Sequence, residues 1–181
     1  MNLFFYTLLA VSLCACSDIY VKKEFSNGNT LKDLISQTED SLKSNYDAVM
    51  RNESTNVSSP LVQRLIQQYV VFYKNHPNDS ITPYYLDKVN QLYIQEKQYT
   101  FAVAWMDTLL VKYPKFKGRG NVLLNAGSTT DLYLNDTVRV RKYYTLLFSE
   151  YPKLNPELKE GISKRLAHLE CTYDSFLFKK N

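Results

Sequence analysis

The chain is 181 residues long, 45% hydrophobic, 14% aromatic and 22% charged. That is a size for one globular unit or a few small repeats, and a composition that excludes global disorder. Five Gly and six Pro supply few of the turns that a β-sandwich or an α/β sheet needs, and three Cys exclude a disulfide framework. Two His leave little for metal or acid–base chemistry. The formal net charge of +4 is unevenly placed: residues 16–111 hold 9 Lys/Arg against 11 Asp/Glu, and residues 112–181 hold 13 against 7. The inventory implies an all-α chain that binds rather than catalyses, with no cofactor and no small-molecule substrate.

Taken in chain order, Leu3 to Leu13 is an uncharged run of 11 residues, about half of the ~20 that a helix needs to cross a bilayer. It reads as the core of a signal peptide. Leu13-Cys14-Ala15-Cys16 and then Ser17-Asp18 follow, and this word resembles the bacterial lipobox, with Cys16 in the register of the lipidated cysteine. Leu13 directly before Cys14 is the wrong size for that register. The n-region, Met1-Asn2, departs from the pattern in carrying no Lys or Arg. Residues 1–15 are therefore expected as a lipoprotein signal peptide and 16–29 as a lipidated polar tether, through Lys22-Lys23-Glu24 and Ser26-Asn27-Gly28-Asn29. Cys14 leaves with the signal and Cys171 remains as a partly buried thiol. His168 lies three positions before Cys171 with no third orienting group, which does not make a nucleophilic site.

Residues 30–181 carry an internal repeat. Phe72-Tyr73-Lys74-Asn75-His76-Pro77, Leu109-Leu110-Val111-Lys112-Tyr113-Pro114 and Leu147-Phe148-Ser149-Glu150-Tyr151-Pro152 end alike, with their prolines 37 and 38 residues apart. Twelve residues before each Pro stand Leu65, Ala102 and Val140; eight before, Tyr69, Met106 and Tyr144; five before, Phe72, Leu109 and Leu147. Four before come Tyr73, Leu110 and Phe148, and one before come His76, Tyr113 and Tyr151. These steps of 4, 3, 1 and 3 trace one face of a helix that Pro closes, and they assign His76 a packing role.

Other helices fill the gaps. Leu31 to Met50 is one; a polar loop from Arg51 to Ser59 leads to Pro60 in a first turn. Ile81 to Gln95 carries Tyr85, Leu86, Val89, Leu92 and Tyr93 at helical spacing and breaks at Glu96-Lys97-Gln98, before the helix that contains Trp105. Asn121 to Leu134 breaks at Asn135-Asp136, where Asp136 is an N-cap for a helix from Thr137. Asn155-Pro156-Glu157 starts a last helix through Ile162, Leu166 and Leu169 toward Phe176. The units span 31–77, 78–114 and 115–152, with a closing helix over 156–178 and about seven helices in all.

Paired helices at this period, a small Ala102 eight positions before the close at Leu110, and the terminal Pro resemble tetratricopeptide repeats over roughly residues 60–170. Ala102, Met106, Leu109 and Pro114 fall on that family's second-helix positions and Tyr93 on its first-helix tyrosine; Leu109 is larger than the pattern asks, and Val140 replaces the small residue in the third unit. Tyr133-Leu134-Asn135-Asp136 through Arg141-Lys142-Tyr143-Tyr144 to Tyr151-Pro152 is similar to repeat-bearing lipoproteins of Bacteroidota. Distantly similar proteins are the repeat lipoprotein of the β-barrel assembly machinery, which has more units, and Tol-Pal coordinators. The resemblance implies a short solenoid whose first helices line a groove, with Tyr84, Asp87 and Gln91 of the second unit and Asn121, Asn125 and Ser128 of the third as groove residues.

It also implies a non-catalytic scaffold on the outer membrane, facing the periplasm, that binds envelope proteins or peptides in outer-membrane assembly or envelope organisation. The alternative is an accessory lipoprotein of glycan or nutrient uptake, whose aromatic rings would hold sugars. Lys112, Lys115, Lys117 and Arg119, with Arg139, Arg141 and Lys142, form a basic patch suited to anionic lipid or an acidic partner and not to nucleic acid in an exported protein. Asp79-Ser80-Ile81 and Asp136-Thr137-Val138 resemble a short O-glycosylation signal, with Ser80 and Thr137 as acceptors. No phosphate loop, zinc spacing or nucleophile elbow is present.

Overall fold

The computed structural model describes residues 30–54 and 56–178; the signal peptide, the tether and Cys16 lie outside them. The described residues form eight α-helices and one π-helical turn, with no strand among them. The helices are α1 (Leu31–Met50), α2 (Ser59–Asn75), α3 (Thr82–Gln95), α4 (Tyr99–Lys112), α5 (Arg119–Thr129), α6 (Thr137–Glu150), α7 (Pro156–Ala167) and α8 (Tyr173–Phe178), with the π-turn Thr130–Leu134 between α5 and α6. The chain is all-α. It divides into two compact units, one through Tyr85 and the other from Leu86, the division falling inside α3.

In the N-terminal unit a capping box starts α1. Thr30 Oγ1 accepts from Asp33 N–H at 3.2 Å while the Asp33 carboxylate accepts from Thr30 N–H at 3.0 Å, which satisfies two of the donors that a helix start leaves over. Asn52, at φ 59°, ends the helix: Asn52 N–H reaches Val49 O and Glu53 N–H reaches Ala48 O, a Schellman closure. Leu31, Leu34, Ile35, Thr38 and Leu42 form the buried stripe of α1, facing Val62, Leu65, Ile66, Tyr69 and Phe72 of α2. Pro60 lies in the first turn of α2, as its missing N–H allows. Tyr85 stacks on Tyr69 at 4.7 Å between ring centroids and meets Phe72 edge-on at 5.0 Å. Tyr69 donates its hydroxyl to Glu39.

In the C-terminal unit α5 packs on α4 and on α6. Tyr144 lies directly against the backbone of Gly127, where a Cβ would come within 2.4 Å of the ring. Asp136 caps α6 by accepting from Arg139 N–H at 3.0 Å, and Asn155 caps α7 by accepting from Leu158 N–H at 3.1 Å.

The repeated closing words fold alike. Their first three columns, Leu65, Ala102 and Val140, then Tyr69, Met106 and Tyr144, then Phe72, Leu109 and Leu147, are all buried. The residue before each Pro has the same non-helical backbone: His76 (φ −131°, ψ 54°), Tyr113 (φ −127°, ψ 65°) and Tyr151 (φ −125°, ψ 68°). These values lie outside the helical region, which a following proline ring disfavours for its neighbour. Each of the three donates its N–H to the carbonyl four residues back, and each carbonyl accepts from the residue three ahead (Asp79, Phe116 and Leu154). One turn, built around Pro at its second position, is thus used three times.

Three expectations are corrected. The closing helix does not run on to Phe176: α7 ends at Ala167 and α8 begins at Tyr173, because the Arg165 guanidinium takes the carbonyls of His168 and Cys171 that a continuous helix would give to later N–H groups. The helix expected over Asn121–Leu134 starts at Arg119 and widens into the π-turn before Asn135 (φ 52°) stops it. His76 is exposed, although its ring lies 4.8 Å from that of Phe72, whereas Tyr113 and Tyr151 are half-buried.

Candidate functional site

The C-terminal unit contains a cavity of about 370 Å³ between α5, α7 and α8. Leu124, Leu158, Ile162, Phe176 and Leu177 supply apolar wall, and the polar part includes Ser128, Tyr144, Asp131 and Arg165, with Glu157, Lys164 and Tyr173 also on the lining. Asp131 stands in the π-turn and Arg165 on α7 one turn after Ile162. Their side chains are 3% and 5% exposed, and they meet in a two-pronged pair: Arg165 Nε to Asp131 Oδ2 and Nη2 to Oδ1, both at 2.8 Å. Nη1 donates to His168 O at 2.6 Å and Nη2 also to Cys171 O at 2.9 Å. The Asp131 contact raises the Arg165 pKa further above its ordinary value. The guanidinium also lies 5.8 Å from the Tyr173 ring and 5.4 Å from the Phe176 ring. Arg165 is therefore committed to holding α8 against the π-turn, and the cavity offers a visitor Glu157, Lys164 and Tyr173 besides its apolar wall and the Ser128 and Tyr144 hydroxyls.

Those two hydroxyls are ordered too. Ser128 Oγ donates to Leu124 O at 2.7 Å and also interacts with the Tyr144 hydroxyl. Burial raises the Tyr144 pKa, and the Ser128 bond partly offsets that.

Of the six groove residues, Ser128 lines this cavity. Asn121 and Asn125 are exposed on the same face of α5, two turns and one turn earlier respectively. Asp87 and Gln91 bond to each other, Gln91 Nε2 to Asp87 Oδ2 at 3.2 Å, and burial raises the Asp87 pKa. Tyr84 is exposed and belongs to the N-terminal unit.

The basic patch separates into two kinds of residue. Arg119 is spent on structure: it clasps Glu150 through Nε (2.6 Å) and Nη2 (2.9 Å) and donates to Leu110 O through Nη1. Arg139 pairs with its own helix cap, Asp136, at 2.7 Å. Lys142 reaches Asp107 at 3.6 Å. Lys112, Lys115, Lys117 and Arg141 are exposed. Cys171 is half-buried, and its thiol donates to the His168 carbonyl at 3.2 Å, not to the imidazole. Ser80 and Thr137 are exposed.

No protein-family model and no curated protein matches this chain.

A second feature of this unit is aromatic. Tyr99 and Tyr133 stack at 3.8 Å with their planes 4° apart, and Tyr93 and Phe101 stack at 5.6 Å. Phe101 is 58% exposed and Tyr133 50%, with Leu132 beside it also exposed. The start of α4 and the π-turn thus present a surface of rings. By contrast Tyr69, Tyr85 and Tyr144 are buried, so their faces are already covered. Neither Asp131 nor Arg165 stood out from the sequence. The available signal was an arginine on the apolar stripe Ile162–Leu166–Leu169, where a charge has to find a buried partner.

Proposed function

We propose that this protein is a lipid-anchored component of the cell envelope, held at Cys16, that binds other envelope proteins through a short array of tetratricopeptide-like helix pairs and performs no chemistry of its own. Its role is that of a scaffold in outer-membrane protein assembly or envelope organisation. The observation that carries the binding part is the ring surface of the C-terminal unit, Phe101, Leu132 and Tyr133 exposed beside the Tyr99–Tyr133 and Tyr93–Phe101 stacks. Exposed aromatic clusters fixed by neighbouring rings lose little side-chain freedom on binding, which is why Tyr and Phe concentrate at interface centres. The repeated pre-proline turns support the repeat-array reading, since a common backbone at a period of 37 and 38 residues is what stacked helix pairs require.

The glycan-uptake alternative draws less support, because Tyr69, Tyr85 and Tyr144 are packed inside and the Tyr99 and Tyr133 rings cover one another. Crosslinking in intact cells followed by affinity purification tests the scaffold. An envelope protein is recovered with the native chain and lost with a Phe101→Ser/Tyr133→Ser double variant; equal recovery with both would falsify the assignment of the ring surface. Membrane fractionation of Cys16→Ala tests the anchor separately, since an unchanged membrane-bound fraction contradicts lipidation.

A further inference from the structure

The ends of four helices of the C-terminal unit meet at one place. The loop from α4 to α5 and the loop from α6 to α7 are tied by the Arg119–Glu150 clasp, by Arg119 bonding to Leu110 O, and by the Tyr151 ring against Gly120, where a Cβ would lie 3.1 Å from the ring. Phe116 is buried and fills the space over Gly118, where a Cβ would come within 2.5 Å of its ring, and so fixes the first loop. Lys115 and Lys117 flank it and are exposed, as is Lys112 before them, and Lys153 brings a fourth exposed lysine from the second loop. Val111, 74% exposed, stands beside Lys112. The carboxylates at this end are Glu150, which Arg119 neutralises, and Glu157 in the first turn of α7. Two helices end here and two begin, so their dipoles largely oppose one another and the lysines set the potential.

We propose that this end of the C-terminal unit, through Lys112, Lys115, Lys117 and Lys153 with Val111 among them, docks on the anionic head groups of a lipid bilayer. Freely rotating lysines around one exposed apolar side chain suit a fluid, diffuse layer of negative charge better than a fixed pattern of carboxylates. The inference rests on the envelope-anchor reading for its setting, because an anchored chain stays within reach of the head groups of its own membrane. It narrows the basic patch: Arg119 builds the surface but does not face the lipid, and Arg139 serves α6.

The test uses the full chain carrying Cys16→Ser, so that no acyl group contributes, in flotation with vesicles of phosphatidylcholine alone or with about a third phosphatidylglycerol. Binding is expected to the anionic vesicles, to fall steeply with added salt, and to weaken by about fivefold for each lysine changed to glutamine. Lys43→Gln, Lys97→Gln and Arg141→Gln together, which remove charge elsewhere, leave binding within about twofold of the parent. Equal affinity for both vesicle types, or equal losses from the two variant sets, overturns the proposal. So does failure of the anionic vesicles combined with loss of a crosslinked envelope protein in the four-lysine variant, which identifies a protein site. Cys16→Ala fractionation reads the anchor independently of all three outcomes.

Discussion

Two buried polar sites, Gln68 in the N-terminal unit and the Asp131–Arg165 pair in the C-terminal unit, are treated in opposite ways. In the N-terminal unit Gln68 of α2 sits at 1% exposure, and neither its amide nitrogen nor its oxygen has a partner among the described residues. The fold there is carried by rings, Tyr69, Phe72 and Tyr85. In the C-terminal unit Asp131 and Arg165 are as deeply buried, yet both carboxylate oxygens are bonded, and the guanidinium makes four hydrogen bonds. A buried polar group that is satisfied specifies a unique arrangement, whereas one that is not only adds cost. The pair selects where α7 stops and where α8 lies; Gln68 selects nothing that the structure displays.

The largest way to break this contrast is Arg165→Ala. It strands a buried carboxylate and frees the His168 and Cys171 carbonyls, so the C-terminal unit should lose about 3–5 kcal/mol, read by urea unfolding, with α8 detaching in hydrogen exchange. Arg165→Met combined with Asp131→Leu tests whether the pair stabilises or only specifies. The double variant is expected to recover most of the stability while leaving α8 poorly protected, and full protection of α8 would show that apolar contacts with Phe176 suffice.

Next in size is Gly127→Ala. The added methyl group would press on a Tyr144 ring that is itself buried, so overpacking of about 1–3 kcal/mol is expected. The equivalent change at Gly161, where nothing lies within 4 Å of a new Cβ, serves as the control with the opposite sign, because alanine favours an exposed helix interior by about 0.5–1 kcal/mol.

Gln68→Met reverses the sign in the N-terminal unit. Replacing an unpartnered amide with an unbranched apolar chain of similar length should stabilise the protein by about 1–2 kcal/mol, seen as a higher urea midpoint with unchanged slope. A loss of stability would mean that the amide has a role in the folded state that its surroundings do not display.

What was legible in the sequence follows from the same contrast. Apolar periodicity with a proline at each close located α1, α2, α3, α4 and α6 to within a residue or two, because those helices are fixed by local backbone rules and by one buried face. The Asp136 and Asn155 caps were legible for the same reason. The π-turn and the break after Ala167 were not, since both depend on Asp131 and Arg165 meeting across 34 residues of sequence, a contact with no periodic trace. The groove residues are exposed or half-buried helix positions, and among them Ser128 lines the cavity, since its neighbourhood is completed by α8. The exposed ring surface was hidden for a related reason: residue type does not tell which of Tyr99, Phe101 and Tyr133 stays exposed, and only the packing shows which aromatics are left over.

The smallest expected effect is in pH dependence, and it again divides the units. In the N-terminal unit Asp33, held by the Thr30 hydroxyl and N–H, Glu53, held by Arg51, and Asp79, held by Ile81 N–H and Lys32, all have lowered pKa values. Each contributes stability that is present above the ordinary carboxylate range and lost as pH falls through the lowered value. Asp136, held by Arg139 N–H, and Glu150, held by Arg119, do the same in the C-terminal unit, but Asp87 acts in the other direction. Burial raises its pKa, so the folded form takes up a proton before the unfolded form does. Stability therefore rises as pH falls from that raised value toward the ordinary 3.8, after which the gain is constant. Between neutral pH and about 4 the C-terminal unit should hold or slightly gain stability while the N-terminal unit is flat, and below that both decline. Asp87→Asn removes the offset and leaves only the acid decline, because an asparagine oxygen still accepts from Gln91 without a charge to bury. Hydrogen exchange of α1 and α5 across that pH range separates the units, and an unchanged profile in Asp87→Asn would show that water reaches the carboxylate well enough to cancel the cost of its burial.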